Sequence, residues 1–237
     1  MANSPILKVE GLRGGYGGKP VLQGVDIAVE AGEIVAVIGR NGVGKSTLMR
    51  SLIGLLTPMS GSISFAGADV TALPANRRAQ LGMGYIPQGR DVFPRLSVAE
   101  NLLVGTEAGN GVAPPDYTRI YEFFPILKER ARQPAGTLSG GQQQQLAIAR
   151  AMIGGPKLML LDEPSEGIQP SIVQDIARNM KRLNAETYVS ILLVEQSLDL
   201  IVSLAQRGFV MDKGRIVAQL GPDEIKSRDA VRRHLEL

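Results

Sequence analysis

The sequence predicts an α/β fold: a glycine-rich turn between a buried strand and a helix, an antiparallel strand pair ahead of it, and a mostly helical insertion behind it. Three observations carry that prediction. Ile34-Val35-Ala36-Val37-Ile38 is a short β-branched run of the kind buried on both faces, and Ser46 to Leu56 carries leucine and isoleucine at helical spacing. Ile6 to Glu10 and Val21 to Val29 alternate as half-buried strands on either side of the turn-rich Gly14-Gly15-Tyr16-Gly17-Gly18. From about Arg90 to Gln133, Pro94, Pro114, Pro115 and Pro125 interrupt helical patterns at Val98 to Leu103 and Tyr117 to Lys128.

Between the strand at Ile38 and the helix lies Gly39-Arg40-Asn41-Gly42-Val43-Gly44-Lys45-Ser46-Thr47, which reads as a phosphate-binding loop. Gly39, Gly42 and Gly44 let successive backbone N–H groups turn inward around an anion, and the helix beginning near Lys45 adds its positive dipole end. Lys45 is placed to reach the β- and γ-phosphates, and the Ser46 hydroxyl to bind Mg²⁺. A glycine turn that happens to precede a lysine lacks these strand and helix flanks.

The 237 residues suffice for one large domain, or one domain with a substantial insertion, around a well-buried core. Cysteine is absent, which excludes disulfides and thiolate metal sites and leans toward a reducing compartment. Met1 to Pro5 lacks a signal peptide's basic segment and apolar core, and no apolar run approaches the ~18 residues of a membrane span. The net charge of +3 comes from scattered pairs, Arg77-Arg78, Lys181-Arg182 and Arg232-Arg233, which read as solvated helix faces. With five tyrosines and five phenylalanines for base stacking, that is a poor nucleic-acid footprint.

Tyr16 is the one aromatic before the loop and lies among residues too small to bury it. An exposed ring there can stack on adenine; an ordinary hairpin tyrosine covering a strand edge is the alternative. Gly61 to Gly67 and Met83 to Ile86 read as short strands, the second ending in Pro87-Gln88-Gly89-Arg90, so that Gln88 stands where parallel sheets bind ligands. Asn110 to Pro115 is a turn-rich connector.

The insertion closes with Leu138-Ser139-Gly140-Gly141-Gln142 and a helix from Gln143 to Met152. Ser139 is a good N-cap, and two glycines at a helix start leave N–H groups for an outside anion, although a plain Ser-capped helix reads the same way. Lys157 to Pro164 is an apolar strand ending in Asp162-Glu163. Side-chain alternation sends the two carboxylates in different directions, one for a metal shell and one to polarise water; a simple turn is the alternative. A last buried strand, Ser190 to Val194, ends at Glu195-Gln196. Phe209 to Asp212 and Arg215 to Gln219 close the sheet edge, and Gly221-Pro222-Asp223-Glu224 opens a helix. His234, the single histidine, reads as a surface residue of the terminal helix.

In order and spacing, the phosphate loop, Gln88, Leu138 to Gln142 and Leu158 to Glu163 resemble the ATP-binding subunit of an ABC transporter along essentially the whole chain. Pro87 to Pro94, Gln142 to Gln145 and Glu163 to Pro170 are similar to the branched-chain amino acid importers, most of all their urea and short-chain amide branch. The resemblance implies a P-loop NTPase core of the ABC ATPase type with a mixed sheet, an antiparallel β subdomain and a helical subdomain. Within one ABC ATPase domain over 1–237, the core lobe would take 1–89 and 157–237, and the helical subdomain 90–156. It implies ATP and Mg²⁺ as ligands, with nucleotide contacts from Tyr16, Gly39, Asn41, Gly42, Gly44, Lys45, Ser46 and Thr47. Ser139, Gly140, Gly141 and Gln142 would clamp the nucleotide of a second ATPase subunit, paired head to tail as a homo- or heterodimer. Ser46, Gln88 and Asp162 would hold the metal. Glu163 would act as general base or water-positioning residue, with Gln88, Gln196 and Lys45 completing the catalytic set.

The implied partners are integral membrane permease subunits, whose cytoplasmic helix enters a groove near Gln88 and Phe93, and indirectly a solute-binding protein. The implied location is peripheral, on the cytoplasmic face of the inner membrane. A soluble ABC ATPase acting on nucleic acid or ribosomes is the alternative function, although one phosphate loop and the lack of a heptad run argue against it. Many members of the family carry histidine where this chain has Gln196, so its own site is expected to hydrolyse ATP without a titrating imidazole. Ser165 to Gln169 also lacks the aspartate common in many relatives.

Overall fold

A computed structural model describes residues 5–108 and 114–236. Met1 to Ser4 and the Asn110 to Ala113 part of the expected connector lie outside the described residues. Two sheets form. The first is antiparallel and contains β1 (Leu7–Tyr16), β2 (Lys19–Val29), β4 (Ser60–Phe65) and β5 (Ala68–Asp69) in the order β2-β1-β4-β5. The second contains β3 (Ile34–Ile38), β6 (Met83–Ile86), β7 (Leu158–Asp162), β8 (Ser190–Glu195), β9 (Arg207–Asp212) and β10 (Arg215–Leu220). Its order is β10-β9-β3-β8-β7-β6, with every pairing parallel except β10 with β9, so the sheet is mixed as expected.

Every residue of β3, β7 and β8 is buried, which explains their near-continuous apolar composition. Because side chains alternate, each strand feeds two layers. Ile34, Ala36 and Ile38 join Met159, Leu161, Ile191 and Leu193 in the cluster beneath most of the helices. Val35 and Val37 join Leu160, Leu192 and Val194 on the other face, against Leu48 and Leu52 and the antiparallel sheet.

The helices are α1 (Lys45–Ile53), α2 (Ala75–Leu81), α3 (Val98–Glu107), α4 (Tyr117–Phe123), α5 (Pro125–Glu129), α6 (Gly140–Met152), α7 (Pro170–Thr187), α8 (Leu198–Leu204), α9 (Pro222–Lys226) and α10 (Arg228–Glu236). α1 stops at Ile53, short of the apolar run to Leu56, because Gly54 takes a left-handed φ of 86° and caps the last turn. α6 starts at Gly140, not Gln143: Ser139 and Gln142 form a reciprocal capping box that draws both glycines into the first turn. α4 and α5 break at Phe124, where Pro125 opens a new helix.

Three helices, α2, α7 and α8, stand outside the sequence expectations. α7 buries Val173, Ile176, Ala177, Met180 and Leu183, a helical periodicity that was there to be found. α2 has few apolar residues and is anchored through Arg78, which corrects the reading of Arg77-Arg78 as a solvated pair. Arg77 is exposed, but Arg78 is 1% exposed and donates to the carbonyls of Ser51, Leu52, Thr71 and Leu73 at 2.7–2.9 Å. Its planar fork reaches carbonyls at the C-terminal end of α1, where the helix's own N–H donors run out. Lys181-Arg182 and Arg232-Arg233 are exposed as expected.

Candidate nucleotide site

The parallel pairing of β3, β8, β7 and β6 brings their carboxyl ends to one sheet edge, and with them the Gly39 to Gly44 loop, Glu195-Gln196, Asp162-Glu163 and Pro87-Gln88. The loop depends on its glycines for two different reasons. Gly44 holds φ 114°, where an L side chain is strained, whereas a Cβ on Gly39 would lie 2.4 Å from the Met211 carbonyl oxygen. Asn41 is exposed at the tip and Thr47 is buried at the start of α1.

Lys45 and Glu163 form a buried ion pair, Nζ to Oε1 at 3.0 Å, with 4% and 7% of the residues exposed. Lys45 Nζ also donates to the carbonyls of Gly39 at 2.8 Å and Arg40 at 3.0 Å. One step along, the Ser46 hydroxyl donates to Asp162 Oδ1 at 3.0 Å, and the Tyr85 hydroxyl to Oδ2 at 3.3 Å. Burial pushes the Asp162 carboxyl up from its ordinary value; the Ser46 hydrogen bond offsets part of that, and the adjacent Glu163 charge adds to it. Tyr85 is pushed up as well, first by burial and then by the Asp162 charge.

The two carboxylates therefore take different partners, but not through strand alternation. β7 ends at Asp162, and Glu163 turns the chain with a φ of 47°, a left-handed conformation rare for glutamate, which lays its carboxylate against Lys45.

Gln88 is exposed and donates through Nε2 to Glu166 at 2.9 Å, so no hydrogen bond joins it to Ser46 or Asp162 among the described residues. Arg90 reaches the same turn, donating to the carbonyls of Glu166 at 3.2 Å and Gly167 at 3.4 Å. Tyr16 is 48% exposed, with its hydroxyl 3.5 Å from Arg50 Nη1 on α1. Gln196 is exposed immediately after β8. The Ser139 to Gln142 segment has no hydrogen bond to Lys45, Ser46, Asp162 or Glu163 among the described residues. Its capping box uses the N–H groups of Ser139 and Gln142, which leaves those of Gly140 and Gly141 at the helix end for an anion.

Three participants carried no chemistry in the sequence reading: Tyr85, Glu166 and Glu195. Tyr85 and Glu195 stand at strand ends beside residues that were singled out, which was the available signal. Glu166 gave none, because its contact with Gln88 spans 78 positions.

Phe93 lines an apolar groove of about 370 Å³ together with Ile53, Leu55, Met83, Val104 and Arg150. Gln88, expected at this groove, is not among its lining residues. The Arg150 guanidinium lies 5.0 Å from the Phe93 ring centroid, and its Nη1 is buried without a hydrogen-bond partner.

Residues 22–166 match the family model described as ABC transporter. The chain is 45% identical over 206 residues to the high-affinity branched-chain amino acid transport ATP-binding protein BraG of Pseudomonas aeruginosa, covering 85% of this chain and 87% of that protein. Among solved structures, a nucleotide-free ATP-binding cassette from an ABC transporter superposes with a TM-score of 0.82 at 30% identity, covering 94% of each chain. The ADP conformation of an ATP-binding cassette of an ABC transporter superposes at 0.77 and 30% identity, covering 94% of this chain and 93% of that chain. Among the described residues no helix is long and apolar enough to cross a membrane. The chain belongs to the ABC transporter family, as a nucleotide-binding cassette and transport-coupled ATP hydrolase.

Proposed function

We propose that ATP hydrolysis at this site drives uptake of a small polar solute, a branched-chain amino acid, through separate membrane permease subunits, with the cassette peripheral on the cytoplasmic face of the inner membrane. The observation that carries the reading is the paired arrangement of Lys45 with Glu163 and Ser46 with Asp162 at one sheet edge. The 45% identity to BraG supports the solute class. The nucleic-acid alternative finds no support in these relatives.

A hydroxyl and a carboxylate are hard oxygen donors of the kind Mg²⁺ takes alongside nucleotide phosphates. Ser46 and Asp162, already 3.0 Å apart, fit that ion. An Mg²⁺ held there would supply charge neutralisation for the phosphates. Gln88 would have to release Glu166 to join them. A γ-phosphate reaching Lys45 competes with Glu163 for the ammonium, so nucleotide binding frees the Glu163 carboxylate to orient water and accept its proton. Tyr16, half exposed, supplies a face for adenine.

Residues 90–156 act as a helical subdomain that swings the Gly140 and Gly141 N–H groups onto the γ-phosphate held by a head-to-tail partner. The groove at Phe93 receives a permease helix, with Arg150 Nη1 ready for one of its oxygen atoms.

Uptake of labelled leucine, isoleucine, valine, urea and acetamide, in cells lacking this subunit, tests the reading. Restoration of amino acid uptake by the wild-type chain, but not by Lys45→Ala, is expected. Restoration of urea or acetamide uptake alone would move the solute to the amide branch, and no restoration of any uptake would remove the importer role.

A further inference from the structure

Glu195 closes β8 and is 1% exposed, a carboxylate sunk at the end of a strand that is otherwise Ser190 and four aliphatic residues. A buried charge is costly unless donors surround it, and here they do. Oε1 accepts from the backbone N–H of Gln196 at 2.7 Å and of Ser197 at 2.9 Å. Oε2 accepts from the Ser165 hydroxyl at 2.8 Å and the Ser165 N–H at 3.3 Å.

These donors belong to two different loops. Gln196 and Ser197 follow β8, whereas Ser165 lies in the turn after β7 that begins with Glu163 and continues to Glu166, the partner of Gln88. One carboxylate therefore sets the spacing between the loop bearing Glu163 and the loop bearing Gln196, each oxygen serving one of them. A carboxylate suits this place because it is acceptor-only; a glutamine would turn an NH₂ group toward N–H donors.

We propose that Glu195 is a positioning residue for ATP hydrolysis, holding the Glu163 turn and Gln196 in fixed relation without itself touching nucleotide. The inference rests on the hydrolytic reading of the site and adds to it a residue outside the phosphate loop and the carboxylate pair. It also connects Gln88 to Gln196 through Glu166, Ser165 and Glu195, a path by which movement at one strand end reaches another.

The test compares full-length wild type, Glu195→Gln and Ser165→Ala in steady-state ATP hydrolysis with Mg²⁺, alongside thermal melting. Misplacing catalytic groups by about 1 Å costs about 10²-fold in rate. Glu195→Gln is expected to lower kcat about 10–100-fold while KM for ATP stays within about twofold. Ser165→Ala keeps the carboxylate and loses one donor; it is expected to lower kcat several-fold with melting unchanged, and it decides the matter if Glu195→Gln does not fold. Wild-type kcat in a folded Glu195→Gln protein, even with lowered melting, would make the residue a structural tie and overturn the proposal, as would wild-type kcat in Ser165→Ala. Absence of hydrolysis by wild type would instead remove the hydrolytic reading, and the proposal with it.

Discussion

Lys45 Nζ lies 3.0 Å from Glu163 Oε1, both residues are buried, and the lysine also bonds two carbonyls of its own loop. Replacing the carboxylate with an isosteric amide leaves those carbonyls in place, so Glu163→Gln is expected to fold and bind ATP. General-base catalysis contributes about 10²–10⁴-fold, and kcat should fall by that order with ATP affinity retained. Steady-state hydrolysis and nucleotide titration read the two quantities; wild-type turnover would assign the water to another group.

Asp162 supplies a pH dependence. Burial and the Glu163 charge raise its pKa in the folded chain, so folding disfavours its charged form. That cost is fully present above the raised folded pKa and disappears as pH falls through it toward the ordinary carboxylate range. Asp162→Asn, neutral throughout, is expected to melt above wild type near neutral pH without nucleotide or Mg²⁺. The gap should close on acidification. Melting curves across that range check it, and a pH-independent difference would contradict it.

Arg78 joins α2 to the end of α1 through carbonyls on two segments of chain, Ser51-Leu52 and Thr71 to Leu73. Arg78→Ala strands those acceptors, and several lost charge-assisted bonds at about 1.5–3 kcal/mol each cap the loss. A net destabilisation of about 3 kcal/mol is expected by urea unfolding, and Arg78→Lys should not restore it, because an ammonium lacks the planar fork. Unfolding midpoints for both variants test this.

The sequence made the catalytic edge legible because each strand reaching it is a short apolar run with polar residues at its tip. Ile34 to Ile38, Leu158 to Asp162 and Ser190 to Glu195 are strands for the reason expected, burial on both faces. The N-cap role of Ser139 was equally local. What escaped was decided by contacts across long separations. Arg78 looked like surface charge until the end of α1, more than 20 positions away, came to surround it. The Glu195 side chain meets Ser165 30 positions earlier in the chain, and the left-handed turn that aims Glu163 has no residue signature, since glutamate disfavours it.

Tyr16 presents a half-exposed ring whose hydroxyl makes a long contact to Arg50. Base–aromatic stacking is worth about 1–3 kcal/mol, so Tyr16→Ala is expected to weaken ATP binding by that amount with kcat at saturating ATP little changed. Tyr16→Phe should retain most of the affinity. Equilibrium titration with a fluorescent ATP analogue measures both, and unchanged affinity in Tyr16→Ala would reduce the ring to a cover for the strand edge.

In the proposed assembly a triphosphate is gripped from two sides by different molecules. A structure of Glu163→Gln with ATP and Mg²⁺ tests it most directly. A head-to-tail dimer is expected, in which the Ser139 hydroxyl and the Gly140 and Gly141 N–H groups of one subunit lie within hydrogen-bond distance of the γ-phosphate held by Lys45 of the other. A nucleotide-loaded protein that keeps Ser139 away from phosphate in every assembly would contradict it.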